Sequence, residues 1–238
     1  MKSKYALALG AGAACSIAQA APSIACHAPL RRRLFPGLSG IGDRAHVALT
    51  FDDGPDPRST PQFLEALDTL GFHATFFMLG SMVKAAPHLA ADVAAAGHEI
   101  AVHGYRHRTH LLQSPRSVHD DLRRGADTIA DTTGADLYWH RPPFGTVSAG
   151  TLLGCRQLGL RLVLWTSWGR DWRASATAGS VVADLTRVPL GGATLLLHDS
   201  DCTSAVHCWR AALGALEPLA EQIADRGLTA GTLSEHGL

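Results

Sequence analysis

The sequence predicts an α/β fold in which about seven parallel strands, joined by crossover helices, curl into a closed or nearly closed (β/α) barrel. Three observations lead there. From His46 onward, short runs rich in apolar, β-branched or aromatic residues alternate with runs at helical spacing. About seven such units fill roughly 190 residues, which suits a barrel better than an open doubly wound sheet. No G-x-G-x-x-G follows the first strand-like run, which weighs against a dinucleotide-binding fold.

The strand-like runs are 46–51, 74–79, 99–103, 137–141, 161–167, 193–198 and, more weakly, 227–233. The helix signals fall between them. Ser59 or Thr60 precedes Pro61, and Leu64, Leu67 and Leu70 share a face ahead of Gly71. An Ala-rich run over 87–96 ends at Gly97. Ser114 precedes Pro115, and Leu122, Ala126 and Ile129 line one face before Gly134. Leu152, Leu153 and Leu158 lead to Gly159, and Val181, Leu185 and Val188 mark a further unit. A last helix is expected over 211–224, before Gly227.

Of the 238 residues, 46% are hydrophobic and 18% charged, which supports one well-packed domain, placed at 45–238. Lys+Arg and Asp+Glu both number 21, so there is no basic excess of the kind a nucleic-acid binder carries. The first twenty residues resemble an export signal: Lys2 and Lys4, a small apolar stretch over 5–17, then Ala18-Gln19-Ala20 as an A-x-A cleavage site. The apolar stretch is too short to favour a spanning helix, so no membrane span is expected after cleavage. The alternative is an unprocessed tail. Residues 21–44, with Arg31-Arg32-Arg33, form a leader into the domain. The five cysteines form no C-x-x-C pair, so a cysteine zinc site is not expected; Cys202 and Cys208 are either a local disulfide or two free thiols.

In parallel barrels, reactive groups gather where strands end. Here the strand-like runs lead into Asp52-Asp53-Gly54-Pro55, into His103 with His107 four residues on, into Arg141-Pro142-Pro143-Phe144-Gly145, into Trp168 and Asp171-Trp172, and into His198-Asp199. One carboxylate with two imidazoles is a common hydrolytic metal set that leaves positions for water and substrate. Two adjacent carboxylates at a strand end can divide the work, one at the metal and one taking a proton from water. His98 precedes its strand and is expected to pack. The polar segment 198–204 is expected to face substrate or to be braced by a disulfide.

Taken in order, TFDDGP (50–55), His103-x-x-x-His107, RPPFG (141–145), Asp171-Trp172 and LLH (196–198) resemble the five motifs of the NodB-homology polysaccharide deacetylases, the family 4 carbohydrate esterases. The likeness runs from about residue 45 to about residue 236. It implies a distorted (β/α) barrel, often of seven strands. It also implies a hydrolase that removes N-acetyl, or O-acetyl, groups from a chitin-type or peptidoglycan glycan in the cell envelope or outside the cell. Asp53, His103 and His107 would bind a divalent metal, commonly Zn2+ and sometimes Co2+ or another ion. Asp52 would be the general base, oriented by Arg141. His198 would be the general acid, held and tuned by Asp171. A backbone N–H near Phe144 would help the metal stabilise the oxyanion, and Trp172 and Leu196 would shape the pocket for the acetyl methyl.

Two departures stand out. Gly104 occupies the place of a Ser or Thr whose hydroxyl normally braces the metal loop, and Phe144 replaces the more usual Tyr. Two other readings compete. An imide or ureide hydrolase on this scaffold often lacks part of the metal triad, which is complete here. A non-catalytic carbohydrate-binding envelope protein would not need Asp52 and His198, and both are present.

Overall fold

A computed structural model of the chain describes residues 19–238. The expected export signal, with Cys15, lies outside the described residues except for its last two positions. The strands are β1 (His46–Asp52), β2 (Thr75–Leu79), β3 (Glu99–Gly104), β4 (Trp139–His140), β5 (Arg161–Leu162), β6 (Ser167–Trp168), β7 (Thr194–His198) and β8 (Thr229–Gly231). All pairings are parallel, in the order β5-β4-β3-β2-β1-β7-β6, and β8 pairs with β1. The fold is therefore the expected α/β one, with the sheet curled into a distorted, incompletely closed barrel.

Eight strands appear where seven were expected because the run at 161–167 is broken. Its start pairs with β4 and its end with β7, the two opposite sides of the sheet. Between them the chain crosses the seam of the barrel, and its backbone groups need partners other than a continuous ladder. Leu164 N–H donates to Leu38 O at 3.0 Å. Leu164 O accepts from Arg141 Nη2 at 3.0 Å, and Trp165 O accepts from Arg31 Nη2 at 2.6 Å. The segment preceding the barrel thus packs against this seam, and it includes α1 (Ala28–Leu34).

The outer helices are α2 (Thr60–Leu70), α3 (Gly80–Ala85), α4 (Pro87–Ala95), α5 (Pro115–Thr133), α6 (Ala149–Leu158), α7 (Ala178–Leu185), α8 (Trp209–Leu213) and α9 (Leu216–Asp225). The start signal acts as expected in α5, where Ser114 Oγ accepts from Ser117 N–H; Ser59 precedes α2 without a side-chain cap, and α6 opens on a reciprocal capping box of Ser148 and Thr151. The expected final helix is split into α8 and α9. Pro218 has no N–H to give the Gly214 carbonyl four residues back, so one continuous helix cannot pass that point.

Period-two alternation along β1 separates two environments. Val47, Leu49 and Phe51 join the large apolar layer beneath the helices. Ala48 packs with Phe77, Ala101, Trp139, Val163 and Leu233 in a smaller cluster. On that same face, toward the carboxyl end, come Thr50 and Asp52, both buried. One side of β1 thus carries the core and the other leads into the site.

At the opposite end of the barrel, Glu99 ties the C-terminal segment down. It accepts from Trp139 Nε1 at 3.1 Å, Thr75 Oγ1 at 2.5 Å and Leu233 N–H at 3.0 Å, and from the Ser234 hydroxyl. Glu99→Ala strands several of these donors in the interior and is expected to lower the unfolding free energy by about 2–4 kcal/mol, read by urea denaturation.

Candidate active site

The site is built where β1, β3, β4, the turn after β6 and β7 end. Asp52 is the last residue of β1, and Asp53 follows with φ 83. This left-handed backbone is unusual for a residue with a side chain. It breaks the strand alternation and lets two consecutive carboxylates face one cavity.

His103 Nδ1 lies 2.8 Å from Arg141 O. A carbonyl only accepts, so Nδ1 carries the proton and the Nε2 lone pair points away from that bond. Nε2 lies 3.3 Å from Asp53 Oδ1, and His107 Nε2 lies 3.4 Å from the same oxygen. Asp53 Oδ1 is shut off from solvent and meets no donor at hydrogen-bonding geometry. Burial opposes its charge, but the neighbouring His103, then His198 and His107, hold the carboxyl well below the usual range. Burial pushes His107 down to about 4, so its ring is neutral at pH 7 and able to ligate. The three ligand atoms lie within 4.8 Å of one another. One carboxylate oxygen converging with two imidazole nitrogens on a buried, unused acceptor fits a divalent ion of the zinc type.

Arg141 is fully buried. Its Nη1 donates to Asp52 Oδ1 at 2.7 Å and to Thr50 Oγ1 at 2.8 Å, and its guanidinium carbon lies 4.0 Å from the Phe77 ring centroid. Asp171, also fully buried, takes the His198 backbone N–H at 2.7 Å and lies 3.0 Å from His198 Nδ1. Burial alone would lower the His198 pKa. The Asp171 charge and hydrogen bond, with Asp53 and Asp52, outweigh it and raise it to about 10.

A cavity of about 470 Å³ opens over this cluster. Of the residues singled out in the sequence, Asp52, Asp53, His103, His107, Phe144, Trp168, Trp172, Leu196 and His198 line it, as do Thr203 and Ser204 of the polar segment 198–204. Arg141 and Asp171 do not; each stands behind the cavity residue it contacts, Asp52 or His198. Phe144 adopts φ 59, and its ring meets His107 edge-on at 4.3 Å. Trp172 is 40% exposed, so it is a cavity residue and not a core one. His98 packs against His73 and Phe76, outside the cavity, as expected. Cys202 and Cys208 are free thiols, pushed up by burial to about 12 and about 11.

The sequence marks Trp168, which follows the fifth run, but it does not mark several other residues of the site. Trp165 and Trp168 line the cavity beside Trp172, with successive ring centroids 5.7 and 5.9 Å apart. Arg31 reaches the cavity from the leader. Asp121 resolves the departure at Gly104. Its Oδ2 on α5 accepts from Tyr105 N–H at 2.9 Å and Arg106 N–H at 3.5 Å, bracing the loop between His103 and His107 without a hydroxyl at 104. Gly125 lets α5 come this close, since a Cβ there would sit 2.6 Å from the Gly104 carbonyl carbon.

The fold and this strand-end cluster, with its candidate metal site, are of the kind a carbohydrate esterase carries, and the comparisons point to the same family. The polysaccharide deacetylase family model matches residues 40–163. The chain is 36% identical over 155 residues to a peptidoglycan-N-acetylglucosamine deacetylase of Bacillus cereus, covering 64% of this chain and 72% of that one. It is 34% identical over 169 residues to a chitooligosaccharide deacetylase of a Bradyrhizobium species, covering 71% and 75%. Among solved structures, a family 4 carbohydrate esterase from Streptomyces lividans, in complex with acetate, superposes with a TM-score of 0.70 at 29% identity, covering 79% of this chain and 92% of that one. The chain belongs to the polysaccharide deacetylase family.

Gly104 has φ 113, and a Cβ there would lie 3.0 Å from Asp121 Oδ2. Gly104→Ser restores the family's usual hydroxyl, yet it is expected to destabilise the protein by about 1–3 kcal/mol, measured by chemical denaturation.

Proposed function

We propose that this chain is an exported, metal-dependent deacetylase that hydrolyses the acetamide of N-acetylated sugars in a chitin-type or peptidoglycan glycan. The observation that carries the reading is that Asp52 and His198 share one cavity with the three-residue ligand cluster, each held by its own buried partner. Hydrolysis of an amide needs this pairing, because the nitrogen leaves poorly until it is protonated.

Asp53, His103 and His107 would hold the ion, Zn2+ by donor set, which when bound supplies Lewis-acid activation of water and of the carbonyl oxygen. Asp52 takes the proton from the attacking water as its oxygen bonds to the acetyl carbon. The salt bridge to Arg141 keeps Asp52 aimed. Gly145 N–H is bonded to Pro142 O, so the N–H of Phe144 is the one assigned to the developing oxyanion. His198 gives its proton to the nitrogen as the C–N bond breaks, leaving acetate and a free amine. Leu196 and Trp172 offer an apolar wall to the methyl, and the tryptophan strip offers faces on which sugar rings stack. Among the described residues, no helix is long and apolar enough to cross a membrane.

Acetate release from N-acetylglucosamine oligomers and from peptidoglycan tests the reading. The rate is expected to vanish on chelation with metal loss verified, and to return with Zn2+ or Co2+; full activity in metal-free protein overturns it. A second measurement concerns pH. His198 acts as acid only while protonated, so the rate falls as pH rises through its pKa. Asp171→Asn removes the charge that raises that pKa and leaves burial to lower it. The alkaline limb of the kcat profile is therefore expected to move to lower pH, whereas an unmoved limb excludes His198 as the titrating acid.

A further inference from the structure

The polar loop after β7 is not used by the mechanism beyond His198, yet it lies directly against the metal ligands. Thr203 Oγ1 donates to Asp53 Oδ2 at 2.7 Å. The two oxygens of Asp53 therefore have different employment: Oδ2 is taken by Thr203, while Oδ1 faces the Nε2 atoms of His103 and His107. A carboxylate without such a partner can rotate and offer either oxygen to a metal, or both.

We propose that Thr203 is a positioning residue for the metal site, locking the rotation of the Asp53 carboxylate so that Oδ1 alone is presented beside the two imidazoles. Partners of this kind orient a ligand and raise affinity without touching the ion. The proposal rests on Asp53, His103 and His107 holding a divalent ion.

Thr203 is exposed at the cavity wall, so its own packing does not hold it. The loop is held instead by contacts with the turn after β1. Arg58 Nη2 bridges Asp56 Oδ2 at 2.9 Å and Asp201 Oδ1 at 2.5 Å. Asp201 Oδ2 accepts from His207 N–H at 2.6 Å, and Ser200 Oγ donates to Asp56 Oδ2 at 3.2 Å. Asp199 takes Gly54 N–H at 3.1 Å and the Thr60 hydroxyl at 2.5 Å. These bonds join the two loops that carry Asp53 and Thr203, so the hydroxyl arrives in a fixed place. The hydroxyl that most of the family carries next to its first metal histidine is absent at Gly104; here a hydroxyl acts on the third ligand from another loop.

The test is Zn2+ affinity of the full chain, by competition with a chromophoric chelator, together with the visible spectrum of the Co2+-loaded protein. Thr203→Val keeps the shape and loses the donor; its affinity is expected to fall about 10–100-fold, with a changed Co2+ spectrum and unchanged circular dichroism. Thr203→Ser is expected to restore both readouts to near wild type. Thr203→Ala provides the same comparison if the valine variant does not fold. Wild-type affinity and spectrum in the valine or alanine variant overturn the proposal, as does a serine variant that loses as much as valine. A wild-type chain that binds no Zn2+ overturns instead the metal reading on which the proposal stands.

Discussion

A fully buried guanidinium inside the barrel is the constraint around which the rest is arranged. A cation withdrawn from water needs close, well-aimed partners, and breaking such a pair costs about 3–5 kcal/mol because it leaves an isolated charge in the interior. Arg141 meets the requirement with Asp52, Thr50, the Leu164 carbonyl and the face of Phe77. Those partners come from β1, β2 and the broken seam between β5 and β6. Satisfying one side chain thus draws the two sides of the sheet together. The backbone of the same residue then orients His103, since its carbonyl accepts from His103 Nδ1. The proposed base, Asp52, and a proposed metal ligand, His103, are therefore set by one residue, through its side chain and its main chain.

A second pattern is that Asp52 and His198 are each fixed by a fully buried partner away from the cavity. Arg141 stands behind Asp52 and Asp171 behind His198, while half-buried Asp121 braces the loop between His103 and His107. Such an arrangement holds charged groups at the mouth of a cavity in defined protonation states, because each partner's charge offsets the cost of burial. His198 and His107 illustrate the two outcomes. The first is held protonated by Asp171, and the second is kept neutral by burial. One suits proton donation and the other suits ligation, although both are histidines of a single site.

Much of this was legible in the residues. The alternating runs place the strands within a few positions, and the polar residues after most runs either line the cavity or stand directly behind a residue that does. The failures have physical causes. The run at 161–167 has the composition of one strand, yet no local feature shows that its two halves pair on opposite sides of a closing sheet. The run at 211–224 has one helical periodicity, yet Pro218 denies Gly214 its bond and divides it. Gly104 looked like a missing brace because the brace that replaces it, Asp121, is seventeen residues away on a helix whose approach depends on Gly125.

The sequence by itself determined which side chains stand at strand ends and in what order, and hence which residues are candidates for the chemistry. Those properties are local, since a strand end is written in a few consecutive residues. Only the tertiary structure decided which oxygen of Asp53 faces the histidines, which nitrogen of His103 is free to ligate, and which tryptophans and leader arginine wall the cavity. Those properties depend on groups brought together from positions up to 150 residues apart, and no local pattern encodes a hydrogen bond across that separation.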